Sequence, residues 1–425
     1  MKIAFLEYKM DLTSGGDVNF MMCWAMLFKD FGHVVDLLQF KKEKKYAEYG
    51  ELFKVRHISD VNVDDYDIVI FNNIYIHGDE ATREFIDFVY RIQTKTLYVN
   101  HDRTNPSYFF SNSHVWELMN MCDFTIGYLG SVMRNIIFDR SKIYDIGFHH
   151  FYKPFEDRHP EIILSRDKDL IFLARIMKIK GAYRFIDYAG THNKRSPDDI
   201  IALYGYFGSI GQVELKNDYR MILEIKEKGY DKSPKSNSEH SYIHLRQMIY
   251  NRQELVDTLK SSKFTWNACS FSSRDKKIYD IVDNGLEAGP IEAMLYGCVP
   301  IIHDISRTAK ITESMNFEDY DCAIFTNDSM TFDELYDLIK SEQSSNVKRG
   351  NLKAFCNEVL DKKKFHDCLI GMFEKMINTS VNRKYIKDDM PLSQVVDKDN
   401  IIAISKIRGD VRKNQMKQEF FDFGE

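Results

Sequence analysis

Lys2-Ile-Ala-Phe-Leu-Glu-Tyr8, Thr13-Ser-Gly-Gly-Asp17, the stretch Val18 to Phe31, and Gly32-His-Val-Val-Asp-Leu-Leu38 follow one another at the head of the chain. The first run is short and apolar, the pattern of a strand buried on both faces of a parallel sheet. A glycine turn follows it and precedes a helical stretch. Gly32 stops that helix ahead of a second apolar run. Strand, glycine turn, helix and strand make one βαβ unit.

The same alternation continues. Tyr66–Phe71 reads as a strand led by an acidic turn, 80–94 as a helix, Thr96–Asn100 as a strand ending at His101-Asp102, 112–122 as a helix and Asp123–Tyr128 as a strand. A second series starts at Asp169–Arg175, a strand. Residues 181–191 read as a helix, Ile200–Tyr206 as a strand and Phe264–Ala268 as a strand end. Pro290–Tyr296 opens a helix and Val299–His303 is the strand after it; 331–341 and 351–378 are helical. Residues 213–245 are polar and irregular. The pattern predicts an α/β chain of two Rossmann-like doubly wound domains facing across a cleft: 1–157, 158–378, and an extension at 379–425 that packs on the surface or serves a protein partner.

Length supports that division, since 425 residues exceed the roughly 100–200 typical of one domain. A net charge of −6 argues against a protein that coats nucleic acid non-specifically, while leaving room for a local basic groove. The basic runs Lys41–Lys45 and Lys406–Lys417 are interrupted and read as solvated surface. Seven cysteines stand singly with no CxxC spacing, which predicts reduced, buried thiols in a cytoplasmic protein. No apolar stretch approaches the roughly 20 residues of a membrane span.

Four strings carry candidate chemistry. Gly15-Gly16, between strand and helix, lets a ligand approach the backbone and the free amides of the helix start, or forms a plain tight turn. Asn100-His101-Asp102-Arg103 leaves the C-terminal end of a predicted strand, where open α/β sheets bind ligands. His101 and Asp102 can bind sugar hydroxyls or steady positive charge there. Arg175, Lys178 and Lys180-Gly181 follow the first strand of the second series, and cations there suit a departing pyrophosphate. The fourth string, Gly285 to Ile302, is the most specific. Gly289-Pro290 opens a helix, the amides around Gly289, Ile291 and Glu292 are placed for a phosphate, and the Glu292 side chain for ribose hydroxyls. Gly297 closes that helix. Asp64, Asp65 and Asp67 lie in the turn before a strand and read as a solvated turn; no metal spacing is found. The absence of GxGxxG sets a nicotinamide dehydrogenase aside.

These residues resemble the retaining GT-B glycosyltransferases, and among them the phage DNA-modifying glycosyltransferases. Glu292-Ala293 and Gly297 fit the family's Gly-x-x-x-x-Glu-Ala-x-x-x-Gly-x-Pro signature. Glu287 stands where its first Gly belongs, and Pro300 comes one residue late. Gly15-Gly16 with Gly32-His33-Val34-Val35, His101-Asp102, Arg175 with Lys180-Gly181, and Leu286-Glu287 with Glu292 match that group in chain order. The resemblance implies metal-independent transfer of a sugar from a UDP-sugar to a 5-hydroxymethylated pyrimidine, 5-hydroxymethylcytosine, in double-stranded DNA, with retention. Asp102 and His101 are then the catalytic pair. The donor set is Gly15, Gly16, Arg175, Lys180, Trp266, Glu287, Gly289, Pro290, Ile291 and Glu292. Arg103, Arg134, Arg140 and Lys142 are the basic residues expected to meet DNA phosphates. Two other readings share the donor residues: a transferase acting on a cell-surface glycan or lipid-linked acceptor, and a nucleotide-sugar-binding protein without turnover.

Overall fold

The computed structural model describes residues 1–8, 16–41, 53, 55–72, 79–99, 118–127, 140–145, 168–175, 184–185, 187–189, 192, 202–206, 244–246, 252–267, 288–304, 307, 315–327 and 329–380. The chain forms two compact units. Unit 1 is Met1–Phe155 with Lys277–Asp283 and Lys362–Glu425; unit 2 is Glu156–Lys276 with Asn284–Asp361.

Unit 1 is built on seven strands: β1 (Lys2–Glu7), β2 (Val34–Gln39), β3 (Val55–His57), β4 (Ile68–Asn72), β5 (Lys95–Val99), β6 (Phe124–Gly127) and β7 (Ile143–Asp145). They pair in the order β3-β2-β1-β4-β5-β6-β7, and every pairing is parallel. The sheet is covered on both faces, and this is why its strands are apolar at successive positions. Ile3, Phe5, Ile68, Ile70, Leu97 and Val99 pack on one side with α1 (Gly16–Asp30). Ala4, Leu6, Val69, Phe71 and Tyr98 pack on the other with Phe85, Ile86 and Val89 of α2 (Asp79–Arg91). α1 ends in a left-handed glycine, Gly32 at φ 82°. Gly32 N–H donates to Lys29 O (3.0 Å) and His33 N–H to Phe28 O (3.0 Å), the bonding pattern of a Schellman stop. The acidic turn before β4 is a capping device: Asp64 accepts from the amides of Gln93 and Thr94, and Asp67 from that of Lys2.

Unit 2 repeats the plan with β8 (Lys168–Arg175), β9 (Ala202–Tyr206), β10 (His244–Arg246), β11 (Ser262–Asn267), β12 (Val299–His303) and β13 (Ile324–Thr326), ordered β10-β9-β8-β11-β12-β13 and again parallel. On one face Ile171 packs with Val256 and Leu259 of α3 (Arg252–Ser261) and Ala293 of α4 (Ala288–Leu295). On the other, Phe172 and Trp266 meet Phe185 and Tyr188. α5 (Phe332–Lys340) starts in a full capping box between Thr331 and Glu334, and α6 (Glu342–Val359) follows.

The sequence reading expected one helical segment over 351–378 within the second domain. The chain instead breaks at Leu360-Asp361 and opens α7 (Lys362–Asn378), which belongs to unit 1. Phe365, Leu369, Met372, Phe373 and Met376 are buried in the core shared with Trp24 and Phe28 of α1. Burying each such side chain contributes about 1.5–3 kcal/mol before the entropy of ordering it is counted. That apolar stripe holds α7 on unit 1. Among the described residues, Cys23, Cys122, Cys298, Cys322 and Cys356 form no disulfide and are buried as expected, whereas Cys368 on α7 is exposed.

Candidate functional site

In each unit the strand order reverses beside the first strand, so the crevice for a ligand opens at the C-terminal ends of β1 and β4 in unit 1 and of β8 and β11 in unit 2. In unit 2 those ends are Arg175 on β8 and Asn267 on β11, and His303 closes the next strand, β12. Asn267 pairs in register with Ile302, one residue before His303.

α4 comes down onto this edge. A Cβ added to Gly289, its second residue, would lie 2.8 Å from Asn267 Oδ1, so only glycine permits this approach. Asn267 is itself fixed, because its Nδ2 donates to Thr265 Oγ1 at 3.1 Å, and Thr265 is buried. α4 begins at Ala288, two residues before the start read from sequence, so its free amides are those of Ala288 and Gly289. Pro290, third in the helix, has no N–H to leave unsatisfied. The amide of Glu292 already has an acceptor position four residues back, which corrects its assignment as a phosphate donor. The half-buried Glu292 side chain shares a helix face with Gly289, three residues away. Ile291 supplies a fully buried side chain that anchors the helix. At the far end Gly297, at φ 78°, completes a Schellman stop: its N–H donates to Met294 O and that of Cys298 to Ala293 O, both at 3.0 Å.

Two expected site residues fall elsewhere. Trp266 has no exposed surface. Its ring stacks on Tyr188 (5.7 Å, 27°) and meets the edge of Phe185, so it supports the strand and offers no face to a donor. The neighbouring strand position, Asn267, is the one on the α4 side. Lys142 is buried, and its ammonium donates to Cys122 O at 3.5 Å. It precedes β7 at the N-terminal edge of the sheet, opposite the ligand edge, and is a structural cation rather than a phosphate contact. Arg140 opens the same short 3-10 turn at that edge. Gly16 follows β1 as the first residue of α1, two residues before the helix start read from sequence. Gly15, His101, Asp102, Arg103, Arg134, Lys180 and Glu287 lie outside the described residues. Asn267 and His303 were not assigned to a site from sequence, although both end strands that were read correctly. Among the described residues no group of three or more His, Cys, Asp or Glu side chains is arranged to hold a metal ion, and no helix is long and apolar enough to cross a membrane.

No protein-family model and no curated protein sequence matches the chain. Solved structures do match its fold. An alpha-glucosyltransferase in complex with UDP and a 13-mer DNA containing an HMU base has a TM-score of 0.64 at 14% identity, covering 88% of this chain and 98% of that one. A TarM mutant of S. aureus in complex with Fondaparinux, alpha-GlcNAc-glycerol and UDP has a TM-score of 0.59 at 11% identity, covering 89% and 100%. Anabaena Alr3699/HepE in complex with UDP and glucose has a TM-score of 0.55 at 14% identity, covering 88% and 99%. With two parallel sheets of matching order and this likeness over most of its length, the chain has the GT-B fold of two Rossmann-like domains.

Proposed function

We propose that this protein is a glycosyltransferase that moves a sugar from a UDP-sugar to a 5-hydroxymethylated pyrimidine, 5-hydroxymethylcytosine, in phage DNA, with retention at the anomeric carbon. The observation that carries the donor half is the seat of α4. The glycine-permitted contact between Gly289 and Asn267 sets free helix amides at the switch point of the unit 2 sheet, beside the strand that ends in Arg175. A sugar diphosphate leaves as a polyanion, and fixed amides and cations at that point stabilise the charge as it grows. Neighbours of the same fold bind UDP, which supports the nucleotide.

In this reading Arg175 and Lys180 neutralise the diphosphate, Glu292 and Glu287 hold the rest of the donor, and Asp102 with His101 orients the reacting sugar and acceptor. No side chain is assigned as a covalent nucleophile. The acceptor hydroxyl attacks from the face the leaving phosphate occupies, and that phosphate takes its proton. The DNA acceptor is supported by the DNA-bound neighbour and by the ordered motif matches. Binding to DNA then runs through Arg103 and Arg134, weakens steeply with salt, and presents the target base flipped from the stack.

A glycan or lipid-linked acceptor is the second reading. It is favoured by the TarM likeness and by Lys142, whose burial removes one of the expected DNA contacts. Incubation with a panel of UDP-sugars and 5-hydroxymethylcytosine-containing DNA, read by mass spectrometry of the digested nucleosides, separates the readings. A mass gain on the modified base establishes the DNA acceptor. Donor hydrolysis without that gain moves the assignment to a glycan, and donor binding with no hydrolysis to a protein without turnover.

A further inference from the structure

Two imidazoles meet where α7 docks on unit 1, although they stand 333 positions apart in sequence. His33 Nε2 lies 2.9 Å from His366 Nε2. On the outer side of each ring a further partner is in place: the Met1 backbone nitrogen at 3.2 Å from His33 Nδ1, and Asp367 Oδ1 at 3.0 Å from His366 Nδ1.

One placement of protons satisfies all three contacts. The Met1 nitrogen donates only and the Asp367 carboxylate accepts only. His33 Nδ1 must therefore accept, so its proton sits on Nε2 and is donated to His366 Nε2. That atom accepts, so the His366 proton sits on Nδ1 and is donated to Asp367. Both rings are neutral in this chain. A proton added to His366 enters at Nε2 and sets two N–H groups against each other at the 2.9 Å contact; one added to His33 enters at Nδ1 and sets an N–H against the Met1 nitrogen at 3.2 Å.

The surroundings hold this arrangement and make it responsive. His366 is 8% exposed, and Phe31 stacks on its ring at 3.9 Å and 13°. Phe28 meets the His33 ring edge-on. The charged groups facing the pair are the Met1 nitrogen ahead of β1, Asp30 of α1, and Lys362, Lys363 and Asp367 of α7. Lys362 is paired with Asp30 at 2.8 Å and Lys363 with Asp367. The Lys363 hydrogen bond first, and that from His366 second, hold the Asp367 carboxyl below its usual range, so it remains an acceptor in mild acid.

We propose that His33 and His366 form a proton-operated latch on the first turns of α7, closed while both rings are neutral and opened by mild acid. The latch lies where the chain passes from unit 2 at Asp361 into unit 1 at Lys362. The apolar stripe from Leu369 to Met376 holds the rest of the helix. Burial first, then the Met1 charge, then His366 lower the His33 pKa from its ordinary 6.5. A group with a lowered folded pKa that is neutral when folded contributes stability fully above its unfolded value. That contribution is lost as pH falls below about 6.5 toward the folded value. Opening therefore belongs to the mildly acidic range.

The test uses the full chain. Nitrogen-15 spectra of the histidine rings report the tautomers, and amide hydrogen exchange reports the second turn of α7. The latch predicts Nε2–H on His33 and Nδ1–H on His366 near neutral pH. It also predicts that exchange in that turn, corrected for its intrinsic rate, rises by about tenfold from about pH 7.5 to about pH 5.5. In His33→Gln, which does not titrate, the pH dependence of exchange flattens. Opposite tautomers, or wild-type exchange that is flat with pH, would overturn the proposal, as would a His33→Gln profile identical to wild type. If His33→Gln does not fold, the wild-type tautomers and exchange profile decide.

Discussion

Gly289→Ala tests the contact that seats α4. The added Cβ would lie 2.8 Å from Asn267 Oδ1, a separation that real Cβ atoms do not hold, so one partner must move. If Asn267 swings aside it loses its bond to Thr265 Oγ1, at about 0.5–1.5 kcal/mol. If the helix start moves instead, overpacking costs about 1–3 kcal/mol. Alanine returns about 0.5–1 kcal/mol through its better helix propensity, less at a helix end than in an interior. The net expectation is a loss of about 1 kcal/mol in stability and, with the proposed donor site, about tenfold in UDP affinity, since that proposal assigns the displaced amides to the diphosphate. Uridine, which has no phosphate, should bind as before. The assay is calorimetric titration of UDP and uridine into wild type, Gly289→Ala, Asn267→Ala and the double variant. Removing the Asn267 side chain makes room for the methyl group, so the double variant should bind UDP better than the sum of the single losses predicts. Unchanged UDP affinity in Gly289→Ala, or strictly additive losses in the double variant, would refute the reasoning.

Three further outcomes follow from the same structure. Phe373→Ala empties a fully buried site between α7 and α1 and should cost about 3–5 kcal/mol, read as a lowered urea midpoint. Lys142→Met keeps the buried stem and drops the charge; it should leave the salt slope of DNA binding at the wild-type value, whereas Arg103→Ala should make it shallower. Thr331→Ala removes the capping box of α5 and should cost about 1 kcal/mol in equilibrium unfolding, with UDP affinity untouched.

The parts of the fold legible in the sequence were those with long apolar runs and explicit stops. β1, α1 and β2 were read closely because Gly32 marks the helix end, and α4 and β12 because Gly297 does the same. β3, β7 and β10 are three-residue edge strands, too short to display a period, and were not read. The apolar spacing of α7 shows that it has a buried face but carries no label for the sheet it faces. Its return to unit 1 is a tertiary fact. At the site, β11 was placed correctly, yet the side-chain alternation along it was not resolved: one position separates Trp266 in the core from Asn267 beneath α4. Lys142 was misread because β7 was missed, and with it the knowledge that this lysine precedes a strand.

The most direct test of the central claim is the release of UDP from UDP-sugar donors, measured together with sugar incorporation into 5-hydroxymethylcytosine DNA, for wild type and Arg175→Ala. The account predicts UDP and glycosylated base appearing in equal amounts with wild type, and both falling together when Arg175 is removed. A wild-type protein that releases no UDP from any donor, with DNA or with glycan acceptors, would contradict it.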